Sequence, residues 1–225
     1  MRYETRRVEM SPVQEEAYRA ACSSLLREKV DLFAPGGVAS LTVLSLLAAG
    51  RGEASDGSDV AIKEFGASPS AKTTAIYQVI NEWDGRPMAV FTISQQVLMT
   101  LERVFRNRKL RNRVAYVSAE HRLEHRTRAL QTFSRAERPI LLTSTKTIGI
   151  GVDLSRAETA VFLQPTWSLG ESRWVESKLS PDCTVITYVT TGTVEVHQHL
   201  GVSRLREIVT RKNLKDFLYG RELKE

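Results

Sequence analysis

The chain has 225 residues, 42% hydrophobic and 26% charged, enough to bury one sizeable core with some peripheral helices, so one domain is expected. Its formal net charge of +6 suits a polyanionic partner, because Lys and Arg release counterions when they neutralise phosphates. No run of about 18 apolar residues occurs and the start MRYETRRVEM lacks a signal-peptide core, which speaks against membrane and secreted classes and for a soluble, intracellular protein.

Cys22 and Cys183 stand far apart without a second pair, so they read as buried thiols rather than a zinc framework or a disulfide scaffold. His121 with His125, and His197 with His199, have suggestive spacings. Neither pair brings the further ligands that a metal site needs.

In chain order, SPVQEEAYRAACSSLLREK places Ser11 as N-cap and Pro12 at the first helical position, predicting a helix to about residue 29. The apolar ASLTVLSLLAA reads as a second, buried helix, and GRGEASDGSD at 50–59 as an exposed loop. A strand-like VAIKEF, a loop and a helix over about 70–83 complete a helical extension, 1–85. From residue 86 the rhythm changes. MAVFTI, VAYVSA, PILLTS, TAVFLQ and CTVITYV are short, apolar and rich in β-branched or aromatic residues, and QQVLMTLERVF, RLEHRTRALQTF and SLGESRWVESK have crossover-helix length. The expected class is α/β, a mainly parallel sheet flanked by helices over 86–215, with a tail at 216–225. Sites in such folds lie at strand C-terminal ends.

GASPSAKT at 66–73 differs from a phosphate loop at one glycine. Ala71 brings a Cβ where a phosphate loop needs glycine, Pro69 removes a donor, and no apolar strand ends in Asp-Glu to hold magnesium. Lys72 is therefore read as starting a helix. The basic run RVFRNRKLRNR, which includes Arg106 and Lys109, has two readings: a solvated helix end, where cations are favoured, or a contact to a nucleic-acid backbone. Without interleaved aromatics, such binding would not depend on base sequence.

STKTIGIGVDL at 144–154 follows the strand PILLT and precedes TAVFLQ. Small hydroxyls and a lysine at a strand end can hold phosphate oxygens, and glycines allow close backbone approach; the plain alternative is a glycine-bearing turn. This segment resembles the fifth motif of the C-terminal RecA-like lobe of Swi/Snf-type (superfamily 2) helicase-like ATPases, which reads close to STKAGGVGLNL. Other pieces follow in the family's order: SPVQEEAY resembles its Ser-x-x-Gln-x-x-x-Tyr helix, SAK at 70–72 its Ser-x-Lys helix start, VFTISQQVLMTLE its fourth motif, and TGTVE at 191–195 its Gly-Thr-Ile-Glu helix start. Arg126, seven residues before Phe133, matches the arginine of the helix after the family's Gly-Ser or Gly-Thr turn, although Ser118, Ala119 and Glu120 stand there.

The resemblance implies that Thr92, Ser94, Gln95, Ser144, Thr145 and Lys146 face the nucleic-acid backbone, with Arg106 and Lys109 nearby. It places Gly149, Gly151 and Asp153 at the nucleotide cleft, where Asp153 meets a ribose or caps the short helix ending there. The sixth motif, Gln-x-x-Gly-Arg-x-x-Arg, is missing: the segment reads SLGESRWVESKLSPD, with Ser177 near the first arginine position. Those arginines stabilise charge on the transferred phosphoryl group, and Arg173 and Lys178 are the substitutes at hand. The implied function is the C-terminal lobe of a DNA-dependent ATPase, helicase or translocase. ATP and magnesium would bind only in complex with a partner polypeptide carrying the N-terminal ATPase lobe, and neither to this chain alone. The alternative is a catalytically inactive lobe that serves as a nucleic-acid-binding or structural module.

Overall fold

The structure, a computed structural model, describes residues 1–28, 32, 70–93, 95–105, 113–149 and 152–223. The second helix around 39–49, the loop at 50–59, VAIKEF, residues 66–69 and Ser94 lie outside the described residues, as do Arg106, Arg108, Lys109, Arg111 and Gly151.

Six strands, β1 (Arg2–Val8), β2 (Met88–Thr92), β3 (Val114–Val117), β4 (Ile140–Ser144), β5 (Thr159–Phe162) and β6 (Thr184–Thr190), form one sheet in the order β1-β6-β5-β2-β4-β3. The pairs β2/β4, β2/β5, β3/β4 and β5/β6 are parallel, with Thr92 opposite Ser144. At one end of β1, Arg2 N donates to Cys183 O at 3.1 Å, and past the other Thr191 N donates to Val8 O at 2.9 Å, so β1 runs with β6 as well. The expected parallel α/β fold is what forms. Every residue of β2 and β4 is buried, which is why both read as unbroken apolar runs: each face of a central parallel strand is covered.

The strand β1 is an addition to the sequence reading. Four charged residues in RYETRRV hide its strand character, and only an edge position tolerates them. There Arg6 pairs with Glu4 at 2.6 Å and with Glu82.

Two compact units emerge, Met1–Arg6 with Ile76–Tyr188, and Arg7–Ala75 with Val189–Glu225. In the first unit, Ala89, Phe91, Ala115, Val117, Leu141, Ala160, Phe162 and Val185 line one face of the sheet. Phe133 of helix α4 (Leu123–Arg135) and Val175 of helix α5 (Leu169–Glu176) close over them. Phe91 and Phe162 stack there with ring centroids 5.0 Å apart. Helix α3 (Gln95–Phe105) packs against β2, β3 and β4 with Leu98, Leu101 and Phe105 fully buried.

The second unit is held by polar contacts between distant segments. Helix α1 (Pro12–Glu28) starts as expected at Pro12, with Gln14 N donating to Ser11 Oγ at 3.4 Å. From α1, Tyr18 Oη donates to Leu218 O in helix α7 (Leu214–Leu218) and accepts from Val194 N, both at 2.8 Å. Gln14 Oε1 accepts from Ala71 N, the first residue of helix α2 (Ala71–Glu82), at 2.9 Å. A 3-10 segment (Val194–Leu200) leads into helix α6 (Gly201–Ile208). These long-range bonds explain why the first helix groups with the last residues: its buried Gln14 and Tyr18 need partners that its own neighbours in sequence do not supply.

Candidate nucleic-acid interface

The C-terminal ends of β2, β3, β4 and β5 carry polar side chains where the strands between them are apolar. Thr92 ends β2 fully buried, and its hydroxyl donates to Gln164 Oε1 just beyond β5 at 2.7 Å. Gln95, at the start of α3, donates from Nε2 to Ser118 Oγ at 2.6 Å and to Tyr116 Oη at 3.1 Å. Burial raises the Tyr116 hydroxyl pKa above its ordinary value, so the phenol stays protonated at neutral pH.

The turn after β3 is organised by Arg126. Its Nε donates to His121 O at 2.8 Å and its Nη2 to Ala119 O, so the guanidinium caps the carbonyls of a tight turn. The planar fork of donors lets Arg126 reach both carbonyls at once.

Past β4, Thr145–Thr147 makes one 3-10 turn. Ser144 and Thr145 are buried: the Ser144 and Thr147 hydroxyls lie 2.5 Å apart, and Thr145 donates to Glu171. Lys146 and Gly149 are exposed. Of the expected phosphate-facing residues, the structure thus brings Thr92, Gln95, Ser144, Thr145 and Lys146 to one edge of the sheet. It turns the Thr92 and Thr145 side chains inward and leaves the Lys146 ammonium outward. At Asp153, the carboxylate accepts from Ser155 N at 2.8 Å, and that bond holds its pKa below the usual range; it is engaged in a local turn.

Helix α5 stands where the sixth motif is expected. Ser168 caps it, accepting from Glu171 N at 3.2 Å. Arg173 and Trp174 are exposed, Ser177 closes the helix with its hydroxyl on Trp174 O at 2.7 Å, and the Lys178 ammonium sits 4.1 Å from the Trp174 ring centroid. Gln164, Glu171 and Trp174 are contributors that the sequence reading did not place. Gln164 was detectable as a polar residue closing an apolar strand, whereas Glu171 and Trp174 carry no local signal.

Lys72 is unavailable to a phosphate: it is buried within α2 and paired with Glu195 at 2.7 Å. Among the described residues no group of three or more His, Cys, Asp or Glu side chains is arranged to hold a metal, and no helix is long and apolar enough to cross a membrane.

Comparison with known proteins agrees with this geometry. The family model of the helicase conserved C-terminal domain matches residues 71–197, more than half of the chain. No curated protein matches in sequence. The chain is similar in fold to the Sulfolobus solfataricus SWI2/SNF2 ATPase C-terminal domain, at 15% identity and a TM-score of 0.67, covering 100% of this chain and 99% of that one. It is similar as well to the C-terminal part of the Fun30 ATPase domain, at 14% identity and a TM-score of 0.68 over 96% and 97% of the two chains. Against the Sulfolobus solfataricus SWI2/SNF2 ATPase core in complex with dsDNA, the identity is 16% and the TM-score 0.69, and the chain spans 50% of that protein. The matched segment runs from the start of α2 to the 3-10 segment that follows β6 and takes in the whole candidate edge; the chain belongs to the family of helicase conserved C-terminal domains.

Proposed function

We propose that this domain is the C-terminal lobe of a Swi/Snf-type, DNA-dependent ATPase or translocase, working with an N-terminal lobe that supplies the phosphate loop and the Asp-Glu motif. The observation that carries the reading is Lys146, an exposed cation at the C-terminal edge of the parallel sheet, on a short turn whose neighbouring hydroxyls are tied inward. A lysine held this way acts as a point charge for a backbone phosphate and is blind to base sequence. The double-stranded DNA bound by the similar Sulfolobus core supports duplex DNA as the polyanion.

ATP and magnesium are assigned to the joint action of two lobes. The magnesium ion is proposed to be held by the N-terminal lobe, whose phosphate loop and Asp-Glu motif carry the ligand types it needs. This lobe's own contribution would be charge near the transferred phosphoryl group, for which the exposed Arg173 is the candidate. On its own the domain should not hydrolyse ATP.

The sixth-motif segment favours a second reading, a catalytically inactive lobe that binds nucleic acid or serves structure. One experiment addresses the first claim: binding of the purified chain to single- and double-stranded DNA over a salt series, beside Lys146→Ala. Steep salt dependence, with the slope reduced by about one in the variant, is the expected result. Binding of neither DNA hands the lead to the structural reading. Once a cognate first lobe is supplied, Arg173→Ala should lower ATP turnover by about 10³-fold or more, while absence of any turnover from the unaltered pair makes the lobe inactive.

A further inference from the structure

Helix α5 has no Gly-Arg-x-x-Arg to offer, yet its polar groups are not idle. Thr145 donates its hydroxyl to Glu171 Oε1, and Trp174 Nε1 donates to Ile148 O at 2.9 Å. The Lys178 ammonium rests on the Trp174 ring, and Leu154 N donates to Lys178 O at 3.1 Å where Leu154 and Leu179 bridge in parallel. The fifth-motif segment is therefore tied to 171–179 near its start, in its middle and at its end.

A single 3-10 turn needs such support. The bond that ends it, Ile148 N to Thr145 O, is 3.4 Å long, and one turn of helix does not hold itself together in water. A hydroxyl given to a carboxylate is among the stronger neutral-to-charged hydrogen bonds. Glu171 is itself fixed, because it lies in the first turn of α5, where a negative charge is favoured and its own N–H is capped by Ser168.

We infer that the segment in place of the sixth motif clamps the fifth-motif turn, and that Glu171 is a positioning residue which aims Lys146 at a nucleic-acid phosphate through Thr145. The inference rests on the phosphate-binding reading of Lys146. Glu171 does not touch the phosphate; it lowers the ordering cost that the lysine-bearing turn would otherwise meet on binding.

The test is a cycle of purified full-length variants, Glu171→Ala, Glu171→Gln, Thr145→Val, Lys146→Ala and Glu171→Ala/Lys146→Ala. Each is read in duplex-DNA affinity over a salt series and in amide exchange of the turn. Glu171→Ala and Thr145→Val should each weaken DNA binding about tenfold and speed exchange of the Ile148 amide about tenfold, leaving the amides of β4 unchanged. Glu171→Gln keeps an acceptor oxygen and should hold near the original values. The double variant should bind no more weakly than Lys146→Ala alone, because the two residues act through one contact.

Additive losses, or tighter binding by Glu171→Ala and Glu171→Gln alike, overturn the inference, since the carboxylate would then act only as a repulsive charge. Unchanged exchange in both Glu171→Ala and Thr145→Val overturns it too, and Thr145→Val alone decides if Glu171→Ala does not fold. Should the unaltered chain bind no DNA, the phosphate reading of Lys146 falls and the positioning role with it, whereas faster exchange in the variants would still report a clamp of structural use.

Discussion

The Nζ of Lys72 lies 2.7 Å from Oε2 of Glu195, 123 residues away, with both side chains buried. The same Oε2 accepts from Thr190 N at 2.8 Å. SAK at the start of α2 and TGTVE after β6, read from sequence as separate family-like helix starts, are two halves of one ion pair. Burial lowers the Lys72 pKa, and Glu195 opposes that shift by favouring the charged form.

Removing one partner should therefore cost more than the pair itself contributes. Lys72→Met leaves an unpaired buried carboxylate and is expected to destabilise the chain by about 3–5 kcal/mol. Lys72→Met/Glu195→Gln removes both charges, keeps an acceptor for Thr190 N and should recover much of that loss. Urea unfolding of Lys72→Met, Glu195→Gln and the double variant measures both effects; an additive double variant would contradict the pairing.

His197 is buried beside Phe217, ring centroids 5.5 Å apart. Burial lowers its pKa, the hydrogen bond to the Arg221 backbone acts in the opposite sense, and the charge of His199 adds to the lowering. The unfolded chain thus takes up this proton more readily than the folded one. Its contribution to stability is complete above the unfolded value of about 6.5 and is lost as pH falls through that value towards the lower folded one. The urea midpoint should fall from about pH 7.5 to about pH 5.5, and His197→Phe should flatten that fall.

Gly220 has φ +60°, and a Cβ there would lie 2.6 Å from Thr193 O. Left-handed strain and backbone overlap act together, so Gly220→Ala should destabilise by more than about 1–2 kcal/mol. Gly149 has nothing within 4 Å of a Cβ. Gly149→Ala should leave the melting temperature within about 2 °C of the original, which makes it a clean probe of DNA affinity at the fifth-motif turn.

Both thiols are buried, and burial pushes Cys22 up to about 12 and Cys183 up to about 11. At about pH 8 the thiolate of Cys22 is then about one part in 10⁴. A disulfide reagent should label neither cysteine in the folded chain and both in denaturant; rapid labelling of the native protein would show that one of them is open to solvent.

The sequence by itself determined the class of fold and the place of the candidate edge. Apolar runs in MAVFT and ILLTS announce strands covered on both faces, Ser11-Pro12 announces the start of α1, and STKTIG marks the turn after β4, because each of these signals is local. Tertiary structure alone decided the rest. RYETRRV is a strand because the edge beside β6 accepts its charges, and Thr92 and Thr145 look inward because Gln164 and Glu171 wait there to accept from them. Lys72 is a buried partner of Glu195 rather than a phosphate ligand. A side chain's direction depends on which acceptor the fold brings to it, and those acceptors are 26 to 123 residues away, beyond the reach of any window along the chain.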